Sequence, residues 1–482
     1  MNLANELTAC KIERKAFAKR LKIAEIQLIR LQREIASKKI PVFILLDGLS
    51  TSGKSSCISH LVQAFDPRFY KVASGKKLSR QISWLQPFWD SEPAKGNITF
   101  FDSSWYRTPF LKEVEKKGKG RKYFEEALEF EKKHLLNGAL VIKIFLNISE
   151  SVQKKRLEEL KSNKDLSWRV DKHDFDQNKE FDKYQAAASE MLNRSNFHQS
   201  PWKVLPADKP DYAFIEASEY LVEVMTEFTQ NRKKVMSFIP NLGFRKIPSR
   251  GKLKGLDISK SNYEKQLPIL QKRIQELSYK MFMQKKSAIL MFEGWDAAGK
   301  GGAIRRLMRF VDPRNCRVCP IAAPSDIDKK HHYLWRFWTE FPEKGNMLIF
   351  DRTWYGRVLV ERVEGFCNDE EWQRAYDEIV LTEKHLVEEG VIIQKFWLDI
   401  DKDIQKERFE RRMNTPHKTW KITDEDWRNR EKWEDYDQAV DEMILKTSHP
   451  GAEWTIVEGN NKLYARIQVI KKVIEALEGA LE

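Results

Sequence analysis

Three shortages frame this 482-residue chain. Its five cysteines are odd in number and scattered, which excludes a disulfide framework and points to a reducing compartment. The single C-x-x-C, Cys316 with Cys319, has no second pair and falls in a strand-like stretch, so neither zinc nor redox use is expected of it. No apolar run reaches membrane-spanning length, and the opening MNLANELTACKIERK has no apolar signal core. A cytoplasmic protein without membrane contact is expected. Acid is in deficit too. Lys and Arg number 85 against 71 Asp and Glu, a net charge of +14 that favours polyanionic partners: nucleic acid, phosphate polymers or an anionic surface. A hydrophobic share of 41% excludes wholesale disorder, and the length allows two or more full domains.

What is present is organised around residues 289–302. Ile289, Leu290, Met291 and Phe292 lead into Gly294; four residues later come Gly299 and Lys300, then a helix-like stretch with Ile304 and Leu307. Strand, glycine loop and helix with G-x-x-x-x-G-K spacing form a phosphate-binding pattern. The glycines let backbone N–H groups turn onto an anion, the helix N-terminus adds positive dipole, and the lysine reaches the outer phosphates. The expected cradle is Gly294, Ala297, Ala298, Gly299, Gly301 and Gly302. Gly301 stands where a Ser or Thr would ordinarily hold Mg²⁺, while Asp296 lies inside the loop. A carboxylate beside phosphates is repulsive unless a cation lies between them, so Asp296 is read as a metal ligand replacing that hydroxyl.

The unit is written twice. Gly48 through Lys54-Ser55 is a second phosphate loop, 246 positions before Gly294. Asp66-Pro67-Arg68 matches Asp312-Pro313-Arg314 at the same offset, and Phe101-Asp102 with Trp105-Tyr106 matches Phe350-Asp351 with Trp354-Tyr355 at 249. His134 matches His385 at 251, and Trp168, Tyr184 and Trp202 match Trp420, Tyr436 and Trp454 at 252. Phe17, Leu21, Ala24, Leu28, Leu31 and Ile35 mark one apolar helix face, repeated by Tyr263, Leu267, Leu270, Ile274, Leu277 and Met281. The chain is therefore read as a tandem duplication: copies at 1–229 and 263–482 joined by a basic linker at 230–262, which carries nine Lys/Arg against one acid. In the second copy the expected strands are 288–292, 317–322, 347–350, 391–398 and 454–457. Their alternation with helices predicts an α/β fold, two tandem domains, each a parallel sheet covered by helices, with ligands at the strand C-termini.

Asp351 ends one of those strands, the usual place of a second metal anchor, and would share Mg²⁺ with Asp296. Arg352 and Arg357 follow it and are expected on the same phosphates. Arg408, Arg411 and Arg412 share one side of a helix, ahead of a turn near Pro416 and of Lys418, Lys421, Arg428 and Arg430. They are read as a lid closing over the transferring phosphoryl group, against the alternative of a solvated basic helix paired with Glu407 and Glu410. His331 and His332 are expected on the surface of a basic helix, and the tryptophans in the core.

GWDAAGKGG at 294–302, FDRTWYGR at 350–357, VERVEGF at 360–366 and WKITDEDWRNREKW at 420–433 closely resemble the family-2 polyphosphate kinases. The resemblance spans nearly all of 263–482 and, more faintly, the first copy. It implies a P-loop kinase with a helical lid that moves phosphoryl groups between inorganic polyphosphate and nucleotides using Mg²⁺. Fused two-copy members make ADP from AMP. The family's loop aspartate and lysine fall on Asp296 and Lys300, its Asp-Arg on Asp351 and Arg352, and its lid arginine on Arg412 or a neighbour. Catalytic roles are therefore expected of Asp296, Lys300, Asp351, Arg352 and Arg412, with Arg357, Arg408 and Arg411 binding phosphate. The expected partners are polyphosphate and AMP/ADP, with no stable nucleic-acid partner; a homo-oligomer is compatible with the sequence.

The first copy departs at these places. Asp296 corresponds to Ser50, Arg352 to Ser103, Arg411 and Arg412 to Glu159 and Leu160, and Arg428 and Arg430 to Asp176 and Asn178. Losing phosphate-facing cations predicts a catalytically degenerate copy. Other readings are ADP or another nucleotide as acceptor, a nucleic-acid-associated ATPase, or a non-catalytic polyanion scaffold. The missing hydroxyl at Gly301 counts against the ATPase, and intact Asp296 and Asp351 count against the scaffold.

Overall fold

The computed structural model describes residue 3 and residues 14–74, 80–116, 118–231, 253–416 and 424–481. These form two compact units. The first comprises Met1–Lys77, Pro87–Met236 and Asp326–Trp335; the second comprises Leu78–Gln86, Ser237–Ser325 and Arg336–Glu482. Two short segments thus belong to the unit opposite to the one a linear division at 229 and 263 assigns. Of the expected linker, residues 232–252 lie outside the described residues. Just after them, Lys254 and Leu256 donate their N–H groups to Glu458 at 2.6 and 2.9 Å.

Each unit is built on five parallel strands. In the first these are β1 (Val42–Gly48), β2 (Tyr70–Ser74), β3 (Ile98–Asp102), β4 (Leu140–Asn147) and β5 (Trp202–Pro206), in the order β2-β3-β1-β4-β5. In the second they are β6 (Ser287–Gly294), β7 (Cys316–Pro320), β8 (Met347–Asp351), β9 (Val391–Asp399) and β10 (Trp454–Glu458), ordered β10-β9-β6-β8-β7. The two orders are the same when read from the opposite edge. The central strands are continuous apolar runs because both faces are covered: Ala288–Phe292 and Met347–Phe350 are wholly buried. The long helices foreseen from apolar spacing run Arg14–Ser37 and Lys260–Met283. They pack against Pro210–Gln230 and Lys462–Ala480 respectively. Strand β7 ends earlier than expected, at Pro320.

The sheet order decides where a ligand can sit. β6 is flanked by β8 on one side and β9 on the other, with Phe292 opposite Asp351 and Gly294 opposite Leu398. The chain leaves β6 at the point where the connections diverge, the crevice such sheets use for ligands.

A buried ion pair supports this edge in both units. Lys395 Nζ lies 2.7 Å from Glu383 and donates to Thr447 O at 2.8 Å. Tyr355 OH and Trp354 Nε1 donate to the same carboxylate at 2.6 and 3.1 Å, which accounts for the Trp-Tyr pair after Asp351. In the first unit Lys143, Glu131 and Tyr106 repeat the arrangement, with Lys143 Nζ 2.8 Å from Glu131.

The histidines overturn an expectation. His332 is buried, not on a surface, with its N–H 2.8 Å from the buried carboxylate of Glu92, and His134 and His331 each place Nδ1 3.9 Å from that carboxylate. The aromatic surroundings of Trp89 and Trp335 take these imidazoles out of water. Flanking lysines in the sequence gave no hint of that packing.

Candidate active site

Gly294 must be glycine. Its φ is +145°, and a Cβ there would strike the carbonyl of Leu398 and come 2.8 Å from Leu398 N. Ala297 and Gly299 also take left-handed conformations, turning the chain into the helix Lys300–Leu307. Lys300 folds back over the loop, its Nζ on the carbonyls of Gly294 (2.5 Å) and Trp295 (3.2 Å). The ammonium thus sits at the mouth of the loop.

Arg408 corrects an expectation. It does not face phosphate; it is buried behind the loop. Nη1 donates to Ala297 O (3.0 Å) and Ala298 O (3.2 Å), and Nη2 to Gly459 O (2.6 Å) and Asn460 O (2.8 Å). Because peptide units are planar and trans, pulling the Ala298 carbonyl backward turns the Gly299 N–H forward into the loop. Burial, then the nearby Arg411 and Arg412 charges, lower its pKa to about 10. Arg156 holds the first unit's loop in the same way, on Thr51 O, Ala207 O and Asp208 O at 2.9–3.0 Å. An arginine that persists where the other lid cations are lost is a sign of structural use, and the sequence carried that sign.

Asp296 is partly exposed. Its Oδ1 lies 3.3 Å from Arg352 Nη2 and its Oδ2 3.3 Å from Asn429 Nδ2. Arg352 holds φ +67°, a left-handed conformation for a side chain that favours it little, with its N–H on Phe292 O at 3.0 Å. Asp351 ends β8 beside the loop. Two carboxylates supply hard oxygen donors suited to Mg²⁺, and the long contacts to Asp296 leave lone pairs for it. Among the described residues no group of three or more His, Cys, Asp or Glu forms a metal cage.

Beneath the loop lies a residue the sequence reading missed. Glu293 is buried and accepts from Thr353 N (2.7 Å) and Oγ1 (2.8 Å), tying the end of β6 to the turn after Asp351; burial pushes its pKa up. Asp47 does the same with Ser104 in the first unit. An acid just before the first loop glycine in both copies was the available signal.

The remaining cations divide. Arg357 pairs with Glu361 at 3.0 Å, and Arg411, exposed, with Glu407. Arg412 is half-exposed on the same helix, Lys402–Met413. Arg428 lies 3.3 Å from Glu364, and Arg430 turns back onto Lys402 O and Gln405. Lys418, Trp420 and Lys421 lie outside the described residues. Two cations not foreseen meet at the first turn of the loop helix, and a third lies near the lid arginines. A Cβ on Gly302 would meet Arg466 Nη2 at 3.6 Å and Arg306 Nη1 at 3.8 Å. Lys462, on the helix that carries Arg466, has its pKa lowered to about 8 by burial and then by Arg408, Arg411, Arg412 and Arg466. Positive groups that destabilise one another are an arrangement for an anion.

The first unit's loop faces a small cavity lined by Gly48, Ser50, Lys54, Ser103, Arg107 and Gln177, and several of its polar groups are already engaged by neighbouring side chains. Lys54 covers Gly48 O and Leu49 O at 2.8 and 3.0 Å, as Lys300 does. But Ser50 N donates to Gln177 at 2.6 Å, Ser50 Oγ bonds Asp174 at 2.5 Å, and Ser55 Oγ is held by Asp102 at 2.6 Å. A loop N–H that could face phosphate is already taken, and a carboxylate sits beside it.

The chain is similar to known proteins over its length. The family described as polyphosphate kinase 2 matches residues 11–233 and again 257–482. The polyphosphate:AMP phosphotransferase of Pseudomonas aeruginosa is 37% identical over 468 residues, 94% of each chain. The ADP-polyphosphate phosphotransferase 3 of Rhizobium meliloti is 38% identical over 219 residues, 45% of this chain and 77% of its own. A solved polyphosphate kinase 2 structure from Pseudomonas aeruginosa superposes with a TM-score of 0.85 at 35% identity, covering 100% of this chain and 99% of that one. With both copies matched and the fold shared over its whole length, this chain belongs to the polyphosphate kinase 2 family.

Proposed function

We propose that the second unit transfers the terminal phosphoryl group of inorganic polyphosphate to AMP, giving ADP. The observation that carries this is the convergence of Lys300, Asp296, Arg352 and Asp351 on one phosphate loop, while in the first unit's equivalent loop Ser50 replaces the aspartate and is bonded to Gln177 and Asp174. AMP is favoured over ADP as acceptor because the relative named for AMP matches the two-copy chain over nearly its full length, whereas the one named for ADP matches a single copy.

An oxygen of the AMP phosphate forms a bond to the terminal phosphorus as that phosphorus parts from its bridging oxygen. The bond pair leaves with the polymer, now one unit shorter. No protein nucleophile is required; the work is positioning and charge stabilisation. Lys300 and the inward loop N–H groups hold the terminal phosphate. Arg352 and the lid arginines Arg411 and Arg412 face the charge spread over the transferring group. Lid closure keeps water from competing as acceptor. Asp296 and Asp351 would hold Mg²⁺, which supplies charge neutralisation between donor and acceptor phosphates. Arg306, Lys462 and Arg466 receive the polymer beyond its reacting end. In this reading the first unit is non-catalytic.

The test is to incubate the protein with AMP, ADP or ATP, each with and without polyphosphate or DNA, and to separate the nucleotides. ADP from AMP only with polyphosphate is expected. ATP hydrolysis stimulated by DNA would overturn the assignment.

A further inference from the structure

Two neighbouring loop residues are each met by the same lid segment. The ring of Trp295 stacks on Trp433, centroids 3.8 Å apart and planes 9° apart. Next to it, the Asp296 carboxylate receives Asn429 Nδ2 at 3.3 Å. Asn429 lies on the helix Asp424–Glu431 and Trp433 begins the helix Trp433–Thr447. Asn429 is itself oriented: its Oδ1 is 3.2 Å from Tyr436 OH, which also lies 3.3 Å from Glu364 Oε1. Glu364, nearly buried, gathers Lys432 at 3.0 Å and Arg428 at 3.3 Å.

The first unit separates packing from chemistry. At the matching positions Leu49 and Phe181 share one apolar cluster with Tyr184, so the lid still packs on the loop. Gln177, in the place of Asn429, has no carboxylate to meet, because Ser50 replaces Asp296, and it bonds the Ser50 backbone instead. The apolar contact survives in both units; the amide-to-carboxylate bond exists only where Asp296 does. A purely structural lid contact would not follow the carboxylate in this way.

We propose that Asn429, Tyr436 and Glu364 form a positioning relay through which the seated lid orients Asp296. Arg352 fixes one carboxylate oxygen and Asn429 the other, so the direction of the remaining lone pairs depends on the lid. The Asp296 carboxylate only accepts, so the Asn429 amide turns its NH₂ toward it and its oxygen toward Tyr436, whose single hydroxyl proton is shared between that oxygen and Glu364. Glu364 holds the lid cations Arg428 and Lys432 to the same chain of bonds. Outer partners of this kind set the affinity and geometry of carboxylates that hold a metal. The inference rests on Asp296 being a metal ligand, as in the proposed function.

The experiment uses the full-length protein and Mn²⁺ as probe, with binding followed by electron paramagnetic resonance in the absence of nucleotide and polyphosphate. Asn429→Ala should weaken Mn²⁺ binding and lower kcat, each by ~10-fold or more, with KM for AMP little changed. Tyr436→Phe, which keeps the ring and its packing, should shift both in the same direction by less. The double variant should be no worse than Asn429→Ala alone, because both act on one bond chain. Near-UV circular dichroism of the stacked tryptophans checks that the lid still seats. Wild-type Mn²⁺ affinity and kcat in seated Asn429→Ala would overturn the relay, and so would fully additive effects of the two changes. A wild type that binds no Mn²⁺ would also overturn it. A wild type that binds Mn²⁺, with the binding weakened by Asn429→Ala, but makes no ADP would support the relay and sink the AMP reading alone.

Discussion

Lys395 and Glu383 are both fully buried with Nζ and Oε2 2.7 Å apart, and the bonds around them join β9, the turn after β8 and the helix before β10. Removing one partner strands the other charge in a low-dielectric site. Lys395→Met is therefore expected to cost about 3–5 kcal/mol of stability. Lys395→Met with Glu383→Leu should cost much less, since no charge is left unpaired. Urea denaturation of the three proteins checks this; equal losses in the single and double variants would contradict it.

At the reacting end, Lys300→Ala and Asp351→Asn should each lower kcat by at least ~10²-fold, the usual scale on losing one main charge stabiliser. Arg408→Lys should also lower kcat although it touches no phosphate, because one ammonium cannot hold four carbonyls in the arginine's fork. Steady-state rates on folded protein decide both. A near-normal rate in Lys300→Ala would refute the site.

Lys462 gives the polymer site a pH signature. Its pKa is lowered to about 8, so it is charged below that value and loses its charge as pH rises through it. An anion is attracted only to the charged form. KM for long polyphosphate should therefore rise between about pH 7.5 and 9, while KM for AMP stays level. Lys462→Arg should flatten the rise, because guanidinium remains protonated there. Affinity for the polymer should also fall steeply with salt, by the counterion argument used for nucleic acids.

The buried carboxylate of Glu92 carries a second signature, this one on stability. Burial raises its pKa to about 8, so its contribution is full below the unfolded value near 4.5 and is lost as pH rises to about 8. His331, lowered to about 4 by burial, acts oppositely: its contribution is full above 6.5 and is lost as pH falls toward 4. The two partly cancel below pH 6.5, and from there to pH 8 the Glu92 loss stands alone. Thermal melts should weaken across that interval in the wild type, and less in Glu92→Gln.

The phosphate loops, the strands and the duplication were legible because they rest on periodicity and spacing, which local sequence carries; the order of the strands in the sheet was not among them. All five expected strands of the second unit are present. Side-chain direction was not legible in the same way. Arg408 and Arg411 are three residues apart on one helix, yet one is buried on loop carbonyls and the other exposed with Glu407. Lys462 and Arg466 join the site from a helix distant in sequence, so no local pattern announces them. Glu293, Asn429 and Glu364 act through other side chains, and only a fold shows which groups they reach.

The two units should differ most sharply at their loop lysines. Lys54 and Lys300 make the same carbonyl contacts, so their immediate geometry does not separate them. What differs is the space in front. In the second loop Asp296 is free of such a block and meets Arg352 and Asn429; around Lys54 the Ser50 N–H is taken by Gln177 and its hydroxyl by Asp174. A phosphate entering the first loop would have to displace both bonds and lie against the Asp174 carboxylate, with burial already working against the Lys54 charge. Lys54→Ala should therefore leave kcat within about twofold of wild type, by the same charge-stabiliser scale that makes Lys300→Ala severe. Titrating tripolyphosphate into Lys300→Ala protein should reveal no tight site in the first unit. Opening the latch with Asp174→Ala in that background should let one appear. Large, equal losses of kcat in Lys54→Ala and Lys300→Ala would mean that both loops are working sites, and the latch reading would fail.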